Sequence, residues 1–340
     1  MAAIRQDHPE VKFAKENNIK VSKRDEFINQ ILEDKRLELI AVSGTHGKTN
    51  TTGMLIWLFK SLSIPISYSI GTNLTFGPNG AYDPNSRYFI YEADEFDRNM
   101  TKFHPKISII TTLDFDHPDT YDSVEDYIDA FRKFVKQSSK TYSWPNVSKK
   151  LDQDIEPINP LLVPLIRLIG KHTRENAALA ISAVAEILEK EPKELIDIIN
   201  EFPGTERRME KLKDNIYTDY AHHPAEIAAT IDAAEEINSD IVVVYQPHQN
   251  LRQKQVISQY KDAFLGAMKM YWLPTYLSRE PETDIVPPEE LVNSLSNKEI
   301  AEIADMDEEL VKNIKEQASK GHLVILMSAG DLDPWARANI

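Results

Sequence analysis

The sequence predicts an α/β protein, with a P-loop-type central domain built on a mostly parallel sheet and a Rossmann-like α/β domain after it. Three observations carry the prediction. Residues 37–62 read as a buried strand (37–42), a tight Gly-bearing loop (43–48) and a helix from near Thr49 that is apolar over most of its length. Short β-rich runs at 88–91 and 107–112 each end in a polar cluster, with helical stretches between or after them. The same alternation of strand, polar cluster and helix resumes after Pro203. Such alternation builds parallel sheets, whose ligands gather outside the carboxyl ends of the strands.

The loop over 43–48 is the first candidate site. A strand turning through glycines into a helix N-terminus aims backbone N–H groups and the positive end of a helix dipole at one point, as a polyphosphate requires. Lys48 adds a point charge between phosphates, and Thr49 offers a hydroxyl to a phosphate-bound magnesium ion. The generic pattern wants a glycine where Val42 stands, so only its second half, Gly47-Lys48-Thr49, is met. Strand, Gly-rich turn and helix occur in every α/β protein, but packing gives no reason for a lysine and a threonine directly after that glycine.

Residues 1–36 hold a helix over 8–17, a short strand over 19–21 and a helix over 25–34, too little to close a core. Glu92, leaving the strand over 88–91 at the head of Glu92-Ala93-Asp94-Glu95, is placed to reach a magnesium ion held by Thr49; the other reading is a solvated acidic loop. His117, closing Asp114-Phe115-Asp116-His117, either takes a second metal, positions a substrate, or caps the turn before Pro118. A helix follows over 124–136, and residues 138–170 are proline-bearing and irregular. The next helix begins near Thr173; Asn176 in its first turn bonds either an adenine edge or the helix terminus. Pro192 opens a short helix that ends at Phe202-Pro203-Gly204, a domain boundary.

Beyond it, a strand over 216–219 leads into Tyr220-Ala221-His222-His223-Pro224 and a helix to 237. A strand over 241–245 leads into Gln246-Pro247-His248 and, past Arg252, a helix to 268. Strands over 270–273 and 322–327 complete a second doubly wound sheet, the last followed by Ser328-Ala329-Gly330-Asp331. Taken alone, His222-His223 also fits a helix start, and Arg207-Arg208 a surface pair.

Composition narrows the chemistry. With 340 residues, 41% of them apolar and 27% charged, the chain is ordinary for a soluble protein with two sizeable cores. The absence of cysteine excludes disulfides, thiolate metal sites and a cysteine nucleophile, leaving oxygen or imidazole ligands that favour magnesium. A formal charge of -15 argues against a nucleic-acid surface. No run approaches the about eighteen apolar residues of a membrane span, and no basic-then-apolar signal opens the chain, so a cytoplasmic protein without membrane contact is expected.

GTHGKT (residues 44–49), YEADEFD (91–97), LDFDHPDTY (113–121), GKHTRENAALA (170–180), FPGTERRME (202–210), TDYAHHPAEIAAT (218–230) and YQPHQNLR (245–252) occur in this order. Together they resemble the Mur ligase family over residues 3–340, most strongly its members that join L-alanine to UDP-N-acetylmuramate. The resemblance implies ATP and magnesium, a sugar-nucleotide carboxylate activated as an acyl phosphate, and attack on it by the amino acid's amine. It divides the chain into residues 1–36, the remnant of a UDP-sugar-binding domain, 37–202, a central ATP-binding domain, and 203–340, a C-terminal domain. By motif match Gly44, Thr45, His46 and Gly47 form the phosphate loop and Lys48 holds the β and γ phosphates. Thr49 and Glu92 take the first magnesium and His117 the second metal region. Asn176 contacts adenine, Arg208 a phosphate and Asp219 the ribose, while Tyr220, His222, His248 and Arg252 surround the amino acid, with Arg252 pairing to its carboxylate.

The chain departs from the family pattern in several places. The glycine-rich part of the UDP-sugar domain is almost wholly absent, Asn50 replaces a threonine, Ala221 a glycine and Gln249 an arginine, and the segment between His117 and Gly170 is short. Two other readings follow: a relative that ligates a recycled tripeptide to the same sugar nucleotide, and a non-catalytic ATP-binding module whose missing domain a partner supplies.

Overall fold

The computed structural model describes residues 8–116, 120–153 and 155–340. Two compact units emerge, Met1–Ile166 with Glu175–Pro203, and Arg167–Arg174 with Gly204–Ile340.

The first unit opens with α1 (Pro9–Glu16) and α2 (Arg24–Lys35). Pro9 suits the first helical position, where its missing N–H would have had no intrahelical partner. The strand expected over 19–21 does not form: Ile19 and Val21 are exposed, and no strand among the described residues pairs with them. Helix α2 buries Ile28 in a core with Phe89, Tyr91, Met100 and Phe103, so these early residues share the first unit's core.

The chain continues as β1 (Glu38–Ser43), α3 (Lys48–Ser61), β2 (Ile66–Ser69), β3 (Gly80–Ala81), β4 (Tyr88–Glu92), β5 (Ile107–Ile110) and α4 (Val124–Gln137). After these come β6 (Lys140–Ser143), α5 (Pro145–Leu151), β7 (Glu156–Pro157), α6 (Lys171–Leu188) and α7 (Pro192–Asn200). The seven-stranded sheet runs β3-β2-β4-β1-β5-β6-β7, parallel except for β3 against β2. Central β1 pairs in parallel with β4 and β5 and is buried past Glu38, as expected of a strand covered on both faces. Helix α3 meets α7, where the Trp57 indole donates to the Ile198 carbonyl at 2.8 Å. The stretch 138–170, expected to be irregular, contains β6, α5 and β7. Polar KTYS forms β6 because its hydroxyls find buried partners: Thr141 pairs with Ser108 at 2.7 Å, and Ser143 donates to the Ile110 carbonyl at 2.6 Å.

The second unit contains β8 (Glu210–Lys213), β9 (Ile216–Asp219), α8 (Pro224–Glu235), β10 (Ile241–Gln246), α9 (Asn250–Val256) and β11 (Ala267–Trp272). Then come α10 (Pro288–Asn293), β12 (Ala301–Ile303), α11 (Glu308–Ser319), β13 (Leu323–Ser328) and α12 (Leu332–Asn339). Its six strands run β12-β11-β10-β13-β9-β8, with only β8 antiparallel. Along β10 the side chains alternate, Val243 and Tyr245 entering one core and Val242 and Val244 the other. The helix expected from near Arg252 to 268 ends at Val256; a 3-10 turn (Ile257–Tyr260) and a left-handed Gly266 lead directly into β11. Among the described residues, no helix is long and apolar enough to cross a membrane.

Candidate functional site

In the first unit the loop after β1 is shaped by two glycines with positive φ, Gly44 at 130° and Gly47 at 84°. A Cβ on Gly44 would stand 2.3 Å from Thr111 Oγ1, so only glycine lets this loop lie against the segment after β5. Thr45 tightens the same contact: its hydroxyl donates to the Asp114 carbonyl at 2.7 Å, receives the Asp114 N–H at 2.8 Å and meets the Tyr127 hydroxyl at 2.8 Å. His46 N–H donates to the Thr112 hydroxyl at 2.8 Å.

Lys48 begins α3 and turns back over its own loop. Its ammonium donates to the carbonyls of Gly44 at 2.7 Å and Thr45 at 3.1 Å, and lies 2.8 Å from the Glu95 carboxylate. Burial opposes the charge on Lys48, but Glu95, with Asp94 behind it, outweighs burial and holds its pKa above the ordinary value. Thr49 donates to Glu92 Oε1 at 2.9 Å, and the other Glu92 oxygen takes the Gly71 N–H at 2.9 Å. Glu92 thus stands at the helix terminus rather than in a solvated loop. Asn176 is buried, with its amide against Gly47: a Cβ there would lie 2.7 Å from Asn176 Nδ2. His117 lies outside the described residues.

In the second unit the loops after β9 and β10 bring together Arg208, Asp219, Tyr220, His222 and His248. Two guanidinium groups approach the Tyr220 ring, Arg207 at 4.7 Å and Arg208 at 5.2 Å from its centroid. Arg207 has φ 57° and donates to the Ser328 carbonyl. Asp219 is buried, and its oxygens take the N–H groups of Met209 and Ala221, both at 2.8 Å, and the Thr230 hydroxyl at 3.3 Å. Burial pushes its pKa up, with Arg208 opposing. These bonds join the end of β9 to the turn that carries Arg208.

His222 and His248 have ring centroids 5.8 Å apart, and His248 stacks on Tyr276 at 5.7 Å. Burial pushes the His222 pKa down to about 4, with Arg252 and Arg208 adding to the fall and Glu226 opposing it. Burial likewise brings His248 down to about 4, helped by His222, Arg252 and Arg207. Both rings are therefore neutral at pH 7, beside guanidinium groups. Arg252 stands on α9, whose first N–H groups, of Asn250 and Leu251, donate to the Glu280 carboxylate.

Several contributors escaped the sequence reading: Glu95, Glu226, Tyr276 and Glu280. Glu95 lay in a noted acidic cluster, and Glu226 stands four residues after His222, one helical turn on. Tyr276 and Glu280 lie in a loop with no local signal; only the fold brings them to α9 and His248. Among the described residues no three His, Asp or Glu side chains form a metal cluster. The Thr49 and Glu92 oxygens are a donor set that magnesium accepts when phosphates and water complete it.

A glycine-shaped loop ending in Lys-Thr at a helix N-terminus, on a parallel sheet and followed by a second α/β unit, defines a P-loop-type nucleotide-binding protein. Residues 42–158 match the Mur ligase middle domain, and residues 207–330 the Mur ligase glutamate ligase domain. The UDP-N-acetylmuramate–L-alanine ligase of Lacticaseibacillus paracasei is 31% identical over 98% of this chain and 81% of its own length. The enzyme of that name from Clostridium acetobutylicum is 30% identical over 97% and 81%. The solved UDP-N-acetylmuramate-alanine ligase of Thermotoga maritima shares the fold, with a TM-score of 0.76 and 23% identity over 99% of this chain and 82% of that one. MurF ligase of Thermotoga maritima, solved with ADP, has a TM-score of 0.65 and 13% identity over 93% and 83%. The chain belongs to the Mur ligase family of ATP-dependent ligases.

Proposed function

We propose that this chain joins L-alanine to UDP-N-acetylmuramate with the hydrolysis of ATP, by way of an acyl phosphate. The relatives at 31% and 30% identity carry that activity in their names. The observation that carries the reading on this chain's own residues is the Thr49 hydroxyl held 2.9 Å from Glu92 at the N-terminus of α3, directly after Lys48. Residues 37–202 are the nucleotide-binding part in this reading and residues 203–340 the amino-acid-binding part.

Lys48 and the loop N–H groups hold the β and γ phosphates, which requires the lysine to exchange Glu95 and two carbonyls for phosphate oxygens. Thr49 and Glu92 hold magnesium, which when bound neutralises charge on the phosphates. Arg208 supplies a further cation for phosphate, and Arg252 a forked donor for the amino-acid carboxylate. The neutral His222 and His248 rings accept hydrogen bonds without repelling an ammonium group, as protonated rings would. Catalysis is positioning and charge stabilisation.

Phosphate release from ATP and magnesium tests this, with UDP-N-acetylmuramate and each of L-alanine, glycine, L-serine and a murein tripeptide, beside an ATP titration. Release that needs both the sugar nucleotide and L-alanine is the expected result. Release with the tripeptide alone would replace L-alanine in the reading, and ATP binding without release under any pairing would leave a nucleotide-binding module. Lys48→Ala should abolish phosphoryl transfer; full nucleotide affinity in that variant would sink the assignment of the loop.

A further inference from the structure

Two oxygens lie close to one ring nitrogen of His222. Its Nδ1 lies 3.0 Å from the Tyr220 carbonyl oxygen and 3.2 Å from Glu226 Oε2. Neither oxygen carries a proton to donate, so Nδ1 bears the hydrogen and Nε2 bears the lone pair. The Nε2 atom makes no hydrogen bond among the described residues. Glu226 is itself fixed: it sits on the first turn of α8, and its Oε2 also takes the N–H groups of His222 at 3.2 Å and His223 at 3.3 Å. The Tyr245 hydroxyl anchors the same loop from β10, donating to the His222 carbonyl at 3.2 Å.

We infer that Glu226 is a positioning residue for the histidine that receives the amine proton: with the Tyr220 carbonyl it locks the His222 proton on Nδ1 and turns the Nε2 lone pair toward the incoming ammonium group. The inference rests on the ligase reading above. In the step it describes, the amino acid's ammonium group gives one N–H proton to Nε2. The freed lone pair forms the C–N bond at the acyl carbon, and the C–O bond to the phosphate breaks. The second surplus amine proton leaves with the phosphate. The imidazolium left behind keeps its Nδ1–H against Glu226, whose negative charge stabilises it, and returns the Nε2 proton to solvent.

The charged and titratable groups around His222 come from several elements. Glu226 on α8 favours its protonation; Arg252 on α9 and Arg208 beside Tyr220 disfavour it, and His248 faces it from the loop after β10. With the amino-acid carboxylate on Arg252, one opposing charge is neutralised while Glu226 still acts. The ring is then a better proton acceptor in the complex than in the empty site. Glu226 is 13% exposed and His222 16%, so little solvent screens their interaction.

The test uses the full chain. Nitrogen-15 NMR of histidine-labelled protein reads the His222 tautomer, and pH profiles of phosphate release read the acid limb of kcat, for the wild type, Glu226→Gln and Glu226→Asp. The glutamine keeps a carbonyl oxygen for the two backbone N–H groups but drops the charge; the aspartate keeps the charge but withdraws it from the ring. The expected wild-type tautomer is Nδ1–H. Glu226→Gln should lower kcat about tenfold or more, with the KM for the amino acid little changed, and move the acid limb to lower pH. An Nε2–H wild-type tautomer, or an unmoved limb and kcat in both variants, would overturn the inference. If the wild type turns over no amino acid, the ligase reading fails by itself, and the tautomer in wild type and Glu226→Gln still decides whether Glu226 sets the ring.

Discussion

Replacing Lys48 by methionine removes a cation that the fold has paired before any nucleotide arrives. The Lys48 side chain is 15% exposed and Glu95 only 1%, with 2.8 Å between ammonium and carboxylate. Without the lysine, the buried Glu95 carboxylate loses the ammonium that stands 2.8 Å from it. Breaking a buried pair in this way costs about 3–5 kcal/mol. At about 2–4 °C per kcal/mol for a unit of this size, that is a fall of roughly 6–20 °C in the first unit's melting temperature. Glu95→Gln alone should cost less, because the Lys48 ammonium still donates to the Gly44 and Thr45 carbonyls. The double variant Lys48→Met with Glu95→Gln should recover much of the loss, giving a coupling of about 2 kcal/mol or more. Calorimetry of the four proteins, without nucleotide and at one pH, closes the cycle. If the two costs add to within about 0.5 kcal/mol, the groups are not paired in solution and the reasoning is wrong.

Glu95→Gln should also bind ATP more tightly than wild type in a calorimetric titration, since the phosphates no longer compete with a carboxylate for Lys48; weaker binding would mean that Glu95 organises the loop instead. His222 titrates near 4 in the folded chain against an ordinary 6.5, so the unfolded chain takes up its proton first as pH falls. The stability from keeping this ring neutral is therefore complete above pH 6.5 and lost toward pH 4, by up to about 3 kcal/mol, and urea melts across that range should flatten in His222→Asn. Gly44→Ala forces a φ of 130° on a residue with a Cβ that would stand 2.3 Å from Thr111 Oγ1 and 2.9 Å from the Thr111 nitrogen. Backbone strain of about 1–3 kcal/mol and overpacking of about 1–3 kcal/mol predict a loss of about 2–6 kcal/mol, and a urea-derived loss below about 1 kcal/mol would contradict the packing described.

What could be read from the sequence was whatever is encoded locally. The strand before Gly44, the helix after Lys48 and the polar clusters at 92–95, 220–224 and 246–248 follow from apolar runs that end abruptly in polar residues, and the sheets place them at strand ends. The losses came where an element depends on a distant partner. Polar KTYS is a strand because Ser108 and the Ile110 carbonyl satisfy its hydroxyls, whereas apolar 19–21 finds no ladder among the described residues. The helix expected to reach 268 stops at Val256, since β11 must begin beside β10 at Ala267.

The same division runs through the candidate site. Lys48, Thr49 and Glu92 announce themselves by residue type and position, because each is the kind of group that meets a phosphate or a cation. Glu95 and Glu226 do not, because each meets another side chain of this protein, and that meeting exists only after folding. Both acidic residues stand beside a group whose partner or charge changes in the proposed reaction: there Lys48 passes from carboxylate to phosphate, and His222 from a neutral ring to an imidazolium. A carboxylate at 2.8 Å or 3.2 Å stabilises the charged form in either case, so on the proposed reading these two residues set how readily the loop accepts nucleotide and the ring accepts a proton.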